Sequence, residues 1–496
     1  MSTMTAAEVA APPHHGPTEH EPPHHETAEP RHSWLTFALM IAAQIMVIID
    51  VSVTNVALPS ISRGLHLSSS QYQWTVSAYV LMSGGLLLLG GRIADQFDRR
   101  RAFLAGVGLF TAASMASGLA TSPLMLILAR AGQGAGAALA TPAALSIVMT
   151  TYAGKQRQKA LAIWGAIGSA GIAVGVLAGG ALTSALGWRA VFFINVPIGI
   201  AVIVGTARNV AHSERTPGAL RRLDARGALT LVTGLLSLVY GIEQTRTHGW
   251  SSASTLVPMG AAAVLLTLFA LLERRAANPL VPPSTWRIRS LVSASTVMAV
   301  NTGVVVGMAF LTSLYLQQVT GASAIVAGCE FLPFAAAITF SAIVASKVIG
   351  HLGARALIAG GLVVIAGGLL LLASAGGGTS YSADILPAFV IMGLGCGPMF
   401  VALSIAAMSG VRPEQSGLAS GVMMTGHEIG AALGVAALTA LVGDITTRAG
   451  VVAGFGHAFH VAAVALGAMV VLTLVAVPGG KAAFTGGHGH GGHGHH

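Results

Sequence analysis

The first apolar run of this chain, WLTFALMIAAQIMVIIDVSVTNVALP at residues 34–59, indicates what kind of fold the chain adopts. Its 26 residues include a single ionisable side chain, Asp50. At about 1.5 Å per residue, a helix of this length crosses a hydrocarbon core of about 30 Å. A carboxylate at that depth is costly unless it is paired or used. The stretch therefore predicts a membrane-spanning helix with a functional carboxylate inside it.

The rest of the chain has the same apolar character. Of its 496 residues, 54% are hydrophobic and 9% are charged, and the mean hydropathy is +0.75. Soluble domains carry about 25% charged residues, so most of this chain belongs in lipid. Apolar runs of membrane-spanning length recur and predict an all-α polytopic membrane protein with fourteen transmembrane helices. The predicted spans are 34–59, 72–91, 101–120, 123–151, 160–186, 190–210, 227–245, 254–272, 290–318, 325–349, 354–376, 383–409, 416–443 and 457–478.

The formal charge of +9 marks the topology of the chain. With both termini in the cytoplasm, 21 of the 26 Lys and Arg residues fall in the tails or in cytoplasmic loops. Lys and Arg collect on the cytoplasmic side of membrane proteins. The basic residues are therefore no nucleic-acid patch, and we expect a multi-pass protein of a bacterial plasma (inner) membrane. We expect no nucleic-acid partner.

A weak internal repeat suggests two related halves. The segments 93–107 and 348–362 align at an offset of 255 residues, and each contains a short turn between apolar runs. Two halves in the same orientation are one plan of secondary transporters, so we divide the fourteen spans as six, two and six. The resulting regions are a His/Pro-rich disordered tail (1–33), an N-terminal bundle (34–210), linkers with two additional spans (211–289), a C-terminal bundle (290–478) and a Gly/His-rich tail (479–496).

Four motifs follow in order in the first half. They are IDVSVTNVALPSI (49–61), GGRIADQFDRRR (90–101), ILARAGQGAGAALATPAALSIV (127–148) and GIAVGVLAGGALTSALGWRAVFFINVPIG (171–199). On these motifs the chain resembles the fourteen-span branch of the major facilitator superfamily, the EmrB/QacA-like drug:proton antiporters. The resemblance covers roughly residues 34–478.

The resemblance implies proton-coupled export of small hydrophobic or cationic compounds, by rocking of two helix bundles around a central site. The partners expected are protons, a small-molecule substrate and the lipid bilayer, with no cofactor. A monomer is expected, although the sequence does not fix the oligomeric state. A proton-coupled importer or lipid transporter on the same fold is the alternative, and a polytopic sensor or enzyme is a remote one. No nucleotide-binding loop or nucleophile elbow favours an enzyme.

Asp50 and Arg130 are the candidates for proton coupling. Asp50 lies about 24 Å into span 1 from the cytoplasm, and Arg130 lies about 10 Å below the outer face in span 4. The two side chains therefore reach similar depths. An Arg nearby favours the ionised carboxylate, whereas desolvation favours proton uptake. A static buried ion pair is the alternative interpretation.

The charged loop after span 2 is the candidate latch. The resemblance implies that Asp95 pairs with basic groups there and holds the bundles in one state, while the alternative is that its arginines only enforce topology. Asp98 stands where the family signature has a Gly, which would permit a positive φ. The latch residues are Gly91, Arg92, Asp95, Asp98, Arg99, Arg100 and Arg101.

Span 5 carries the glycines of the antiporter signature, Gly175, Gly179 and Gly180, with Val176 where the family has a Pro. They predict a groove for a facing helix, either as an antiport element or as plain tight packing.

Two further carboxylates, Glu330 and Glu428, lie within predicted spans of the second half. Intramembrane carboxylates are candidate functional groups, so we assign both to substrate or proton contact.

Cysteines and histidines give no metal site. Cys329 and Cys396 lie in different spans and are expected to be free packing residues. Eleven of the 18 histidines lie in the two tails, where they can chelate a transition metal or simply form soluble low-complexity sequence.

Overall fold

A computed structural model shows an all-helical protein in the residues that it describes. These are 33–96, 98–152, 156, 160, 163–164, 174–175, 177–210, 224–277, 279–374, 380–411, 416–443, 445 and 447–477. The helices are α1 (Ser33–Leu65), α2 (Ser69–Gln96), α3 (Arg99–Gly118), α4 (Pro123–Thr151), α5 (Leu177–Leu186), α6 (Ala190–Phe193), α7 (Asn195–Asn209), α8 (Ala225–His248), α9 (Ala253–Arg275), α10 (Arg289–Gln318), α11 (Ala324–Glu330), α12 (Leu332–Leu352), α13 (Ala354–Ala373), α14 (Leu386–Met408), α15 (Ser416–Val442) and α16 (Arg448–Ala476). A π-helical turn, Tyr381–Ile385, precedes α14.

The prediction of an all-α polytopic membrane protein is confirmed. Twelve stretches within the described residues are helices long and apolar enough to cross a membrane. They take in α1, α2, α4, α6 with α7, α8, α9, α10, α11 with α12, α13, the π turn with α14, α15 and α16. The predicted span 101–120 is the 20-residue helix α3. Within the predicted span 160–186, residues 161–162, 165–173 and 176 lie outside the described residues, as do the two predicted tails except for Ser33.

Helix ends follow local sequence signals. Asp98 caps α3, since its side chain accepts from Arg100 N at 3.0 Å. Ser122 caps α4 in the same way, and Pro123 follows as the first helical residue, a position where its missing N–H costs nothing. Asp224 caps α8. These caps place the charged and polar residues of the loops at the ends of the apolar helices.

The two halves of the chain pack alike. In the first half α4 lies between α2 and α3, while α7 packs against α1 and α3. In the second half α14 lies between α12 and α13, while α16 packs against α10 and α13. The order of helices is the same in both sets, in line with the weak sequence repeat. The halves meet chiefly along α2 and α15.

The helix pair α8–α9 lies beside the contact between the halves. Helix α8 packs against both α2 and α15, and α9 packs against α8. Val232 Cγ2 of α8 lies 2.7 Å from the position that a Cβ on Gly85 of α2 would take. The additional pair is therefore not a detached insertion, because it touches the main interface of the molecule.

Candidate functional site

Asp50 and Arg130 meet in the interior of the first half. Arg130 Nη1 donates to Asp50 Oδ2 at 2.5 Å, and both residues are 1% exposed. Asp50 comes from the middle of α1 and Arg130 from the second turn of α4. The structure thus brings together the two residues that sequence reasoning placed at similar depths, whereas their part in proton coupling stays a prediction.

Two amide side chains complete the surroundings of the carboxylate. Gln133 Nε2 donates to Asp50 Oδ1 at 2.8 Å, and Asn195 Nδ2 donates to the same oxygen at 2.7 Å. Gln133 also accepts from Arg130 Nη1 at 2.9 Å through its Oε1, and donates to Ser114 Oγ at 2.7 Å. The carboxylate is therefore surrounded by three donors, all buried. We call Asp50, Arg130, Gln133 and Asn195 the Asp50 network.

Arg130 is held on its other sides by α2 and by aromatic rings. Its Nε donates to Thr75 O at 3.1 Å, and its Cζ lies 4.4 Å from the centre of the Tyr79 ring. The Phe192 ring centre is 6.0 Å away. Rings at these distances attract a guanidinium through their π faces. Arg130 consequently links α1, α2 and α4 around one buried charge.

Sequence reasoning missed Gln133 and gave Asn195 no role. Gln133 lies three residues after Arg130, so the two share one face of α4. That spacing was the available signal. Asn195 opens α7, two residues after α6 ends at Phe193. No spacing in the sequence indicates that it reaches Asp50, 145 positions away.

The glycines of span 5 lie directly against α1 at the Asp50 turn. A Cβ on Gly175 would stand 2.7 Å from Ser52 Cβ, and one on Gly179 would stand 2.8 Å from Val53 Cα. These approaches are too close for any side chain. Gly180 is buried in the same helix, and Val176 lies outside the described residues. The groove expected from the sequence is present, and α1 occupies it.

The latch loop is tied to three different parts of the protein. Arg92 Nη2 donates to Pro279 O at 2.6 Å, in the segment after α9. Arg100 donates to the Ala207 carbonyl at the end of α7. Gly91 faces Pro142 at an ordinary contact distance, 3.9 Å for an added Cβ, so packing there does not demand a glycine.

Asp98 replaces the family's glycine without strain. Its φ is −65°, and as the N-cap of α3 it needs no left-handed backbone. Arg101 Nε lies 3.6 Å from Asp98 Oδ2. Arg99 is the first residue of α3. The side chain of Asp95, the residue expected to form the latch pair, lies outside the described part, although its backbone belongs to α2.

Glu428 and its neighbour His427 point in different directions. A Cβ on Gly84 of α2 would overlap the Cβ of Glu428, so Glu428 lies on the face of α15 that meets the first half. His427 Nδ1 lies 2.9 Å from Thr302 Oγ1 of α10, and its ring meets Phe400 edge-on at 6.4 Å. Glu428 is therefore a carboxylate between the halves, whereas His427 belongs inside the second half.

Glu330 lies in a different place. The described residues around it form an open, mostly apolar pocket of about 390 Å³ at the junction of α11, α12 and the π turn before α14. Its Oε2 is buried without a hydrogen-bond partner there, and Tyr381 donates its hydroxyl to the Glu330 carbonyl at 2.7 Å. The structure therefore does not bring Glu330 and Glu428 together.

A second cavity, of about 710 Å³, opens between the halves at the end away from the latch loop. Its described lining is rich in hydroxyl and amide groups and includes Arg63, Gln318 and Thr183. Beneath it the halves are joined by Gln73 and Thr439, whose side chains hydrogen-bond at 2.9 Å. Tyr72 of α2 and Phe310 of α10 stack edge-on close by, at 5.4 Å. Both contacts join the two halves beside the cavity.

Metal-ligand chemistry is limited in the described part of the chain. There, no group of three or more His, Cys, Asp or Glu side chains could hold a metal ion. The histidines of both tails lie outside these residues. Cys329 is exposed and Cys396 is buried, both as free thiols.

Known proteins are similar to this chain in sequence and in fold. The sequence model of the Major Facilitator Superfamily matches residues 40–435. A cephamycin export protein of Amycolatopsis lactamdurans is 39% identical over 419 residues, which cover 84% of this chain and 86% of that protein. A puromycin resistance protein of Streptomyces alboniger is 36% identical over 412 residues, covering 82% and 81%. A solved bacterial homologue of the human lysosomal transporter Spinster, inward-facing and occupied, superimposes with a TM-score of 0.63 at 18% identity, covering 90% of this chain and 97% of that one.

Proposed function

The chain belongs to the major facilitator superfamily, and we propose that it is a proton-coupled exporter of small hydrophobic or cationic compounds, antibiotics included. The observation that carries the proposal is the Asp50 network, a buried carboxylate paired with a buried arginine inside membrane-spanning helices. Relatives named for cephamycin export and for puromycin resistance support antibiotics as the substrate class.

The Asp50 network supplies a way to couple a proton to a change of shape. Its three donors stabilise the ionised carboxylate. A proton on Asp50 would cancel its attraction to Arg130, which for charges about 4 Å apart at an effective dielectric of about 20 is worth about 4 kcal/mol before desolvation. A change of that size shifts a two-state equilibrium by about a thousandfold. Loading and unloading Asp50 can therefore switch the preferred arrangement of the helices around Arg130.

Two neighbouring elements fit the same mechanism. Gly175 and Gly179 let span 5 lie against the turn of α1 that carries Asp50. A movement of α1 at Asp50 would therefore displace span 5 directly. At the latch loop, Arg92 joins α2 to the segment after α9, and Arg100 joins α3 to α7. We assign span 5 to proton exchange and the loop to control of the conformational equilibrium.

The proton gradient sets the scale of export. One proton crossing about 150 mV releases about 3.5 kcal/mol, at about 2.3 kcal/mol per charge per 100 mV. That sustains roughly a 300-fold gradient of a neutral substrate, at about 1.4 kcal/mol per tenfold. A monovalent cation exchanged for one proton cancels the electrical term and leaves only the pH difference.

The fourteen-span topology is part of the proposal. Its basis is the twelve membrane-length stretches, helix α3 and the predicted span 160–186. With fourteen spans and basic loops inside, both termini lie in the cytoplasm of a bacterium and the protein is multi-pass in its plasma membrane. The two six-helix bundles (34–210 and 290–478), the additional pair between them and the two tails then form the domain plan, and we propose a monomer.

Glu428 is the first candidate for substrate contact, because it lies on the α15 face that meets the first half. Glu330 is the second, because its pocket is apolar and offers one carboxylate oxygen that has no protein partner. Both would favour cationic over neutral compounds.

Vesicle transport tests the proposed function. Inside-out vesicles containing the protein should accumulate fluorescent cations and antibiotics when a proton gradient is present, and an uncoupler should abolish the uptake. Vesicles with the Asp50→Asn variant serve as the control and should show no gradient-driven uptake. Accumulation only in right-side-out vesicles would instead identify an importer.

A further inference from the structure

The segment after α9 is more than a connection between helices. We call residues 279–281 the strap. Leu280 and Val281 are 1% and 4% exposed, although the sequence places them in a predicted linker. They pack against Leu88 of α2 and Ala228 of α8 in a small cluster of their own. The strap therefore docks at the end of α2 that carries the latch loop.

A buried glutamate shapes the strap. Glu273 lies in the last turn of α9 and is 5% exposed. Its Oε1 accepts from Leu280 N at 3.1 Å and its Oε2 accepts from Val281 N at 2.9 Å. Both oxygens are thus used to satisfy two consecutive backbone N–H groups. Bonds of this kind to a carboxylate are stronger than those between neutral groups.

Asp224 adds the start of α8 to the same junction. It caps α8 by accepting from Gly227 N at 2.7 Å. A Cβ on Gly227 would lie 2.6 Å from Asp224 Oδ2 and 2.9 Å from Glu273 Oε1. The beginning of α8 and the end of α9 therefore lie close together beside the strap.

The other side of the strap reaches the latch loop. Pro279 O accepts from Arg92 Nη2 at 2.6 Å, directly before the two N–H groups that bind Glu273. Val422 of α15 also packs against the strap cluster, and Leu88 Cδ2 lies 3.2 Å from the position of a Cβ on Gly421. The strap thus lies where the two halves meet beside the latch.

We propose that Glu273 is a positioning residue for the latch: it holds the strap so that Pro279 accepts from Arg92 while Leu280 and Val281 cover the contact between α2 and α15. The additional pair α8–α9 then acts as a part of the latch and stabilises the closed cytoplasmic end. This inference rests on the proposed transport function, because a latch has a role only in a protein that alternates between states.

A double-mutant cycle tests the coupling. Glu273→Gln leaves one acceptor oxygen for two N–H groups, so the strap loses one charge-assisted bond. We expect the maximal efflux rate to fall by about tenfold with an unchanged KM. Arg92→Gln should have a similar effect, and the double variant should be no worse than either single one. Independent, multiplying effects would overturn the proposal.

The matched control is another buried glutamate of the same pair. Glu243 lies in α8 and is 4% exposed, and it has no contact with the strap among the described residues. Glu243→Gln should combine with Arg92→Gln by simple multiplication. If Glu243→Gln shows the same non-additivity as Glu273→Gln, the effect belongs to the stability of the pair and the strap has no specific role.

A second readout does not depend on the substrate. In a background with Cys329→Ser and Cys396→Ser, the pair Leu88→Cys and Gly421→Cys reports closure of the seam through the rate of disulfide cross-linking by a mild oxidant, because the two side chains are in contact when the seam is closed. Glu273→Gln should slow this cross-linking several-fold. An unchanged rate would overturn the inference. Absence of efflux by the wild-type protein would refute the proposed function, and the cross-linking result would still decide the role of the strap.

Discussion

Replacing Asp50 by Asn tests whether its ion pair with Arg130 serves the stability of the protein or the coupling of efflux to protons. The carboxylate oxygens accept from Arg130, Gln133 and Asn195. An Asn side chain has a carbonyl oxygen that accepts and an NH2 group that donates, in place of two accepting oxygens. Its NH2 group must therefore face one of these three donors. Arg130 would meanwhile remain buried and lose its counter-charge. Breaking a buried pair in this way costs about 3–5 kcal/mol.

The double variant Asp50→Asn, Arg130→Gln distinguishes stability from coupling. Removing both charges of a buried pair is often close to neutral for stability, so the double variant should recover most of the melting temperature that Asp50→Asn loses. It should still fail to couple efflux to a pH gradient, because no titratable group remains in the network. Recovery of folding without recovery of transport is the expected pattern.

The native cysteines provide the stability assay. Cys396 is buried and Cys329 is exposed, so in a Cys329→Ser background a thiol-reactive dye responds only when the second half unfolds. Transport is measured in parallel in vesicles with an imposed pH difference. The reasoning is refuted if the double variant exports substrate with the pH dependence of the wild type, or if Asp50→Asn melts and transports as the wild type does.

Three further predictions concern the neighbouring elements. Gly179→Val should reduce gradient-driven efflux severely in vesicles, because a side chain there meets the α1 backbone at Val53; an unaffected rate would show that span 5 can move aside. Asp95→Asn should slow efflux without changing substrate affinity in a binding assay, and a large loss of affinity at an unchanged maximal rate would contradict its latch role. Glu428→Gln should weaken export of cationic compounds more than that of neutral analogues in a competition assay, whereas equal losses would assign it to protons or structure.

The sequence predicted what depends on local chemistry. An apolar run with one carboxylate predicts a membrane helix with a buried polar partner, and the depths of Asp50 and Arg130 follow from counting residues along their helices. The separation of spans 5 and 6 was also predicted, and the structure places a turn at Gly187, between α5 and α6. Such features need only the helix rise and the cost of burying charge.

The parts that depend on convergence of distant segments could not be predicted. Asn195 reaches Asp50 only because α7 starts at the right depth beside α1. The role of Glu273 depends on where the chain turns after α9, and its sequence neighbourhood, LLERRAANP, is that of an ordinary helix end followed by a linker. The departure at Asp98 was apparent in the sequence, but only the backbone shows that this residue caps α3.

Helix α2 connects the Asp50 network to both ends of the contact between the halves. Arg130 donates to Thr75 O, two residues after Gln73, whose side chain bonds Thr439 of α15. Four turns further along α2, Leu88 meets α15 and the strap. A proton on Asp50 would free Arg130 to change its hydrogen bond to Thr75 O. Helix α2 is continuous from Ser69 to Gln96, so it would transmit that change to both ends. One buried hydrogen bond and one aromatic pair join the halves beside the large cavity, whereas an apolar cluster and the strap join them beside the latch loop, so the two contacts respond to different forces. In the proposed mechanism, a single event at Asp50 weakens one of these contacts and leaves the other intact, which is what alternating access requires.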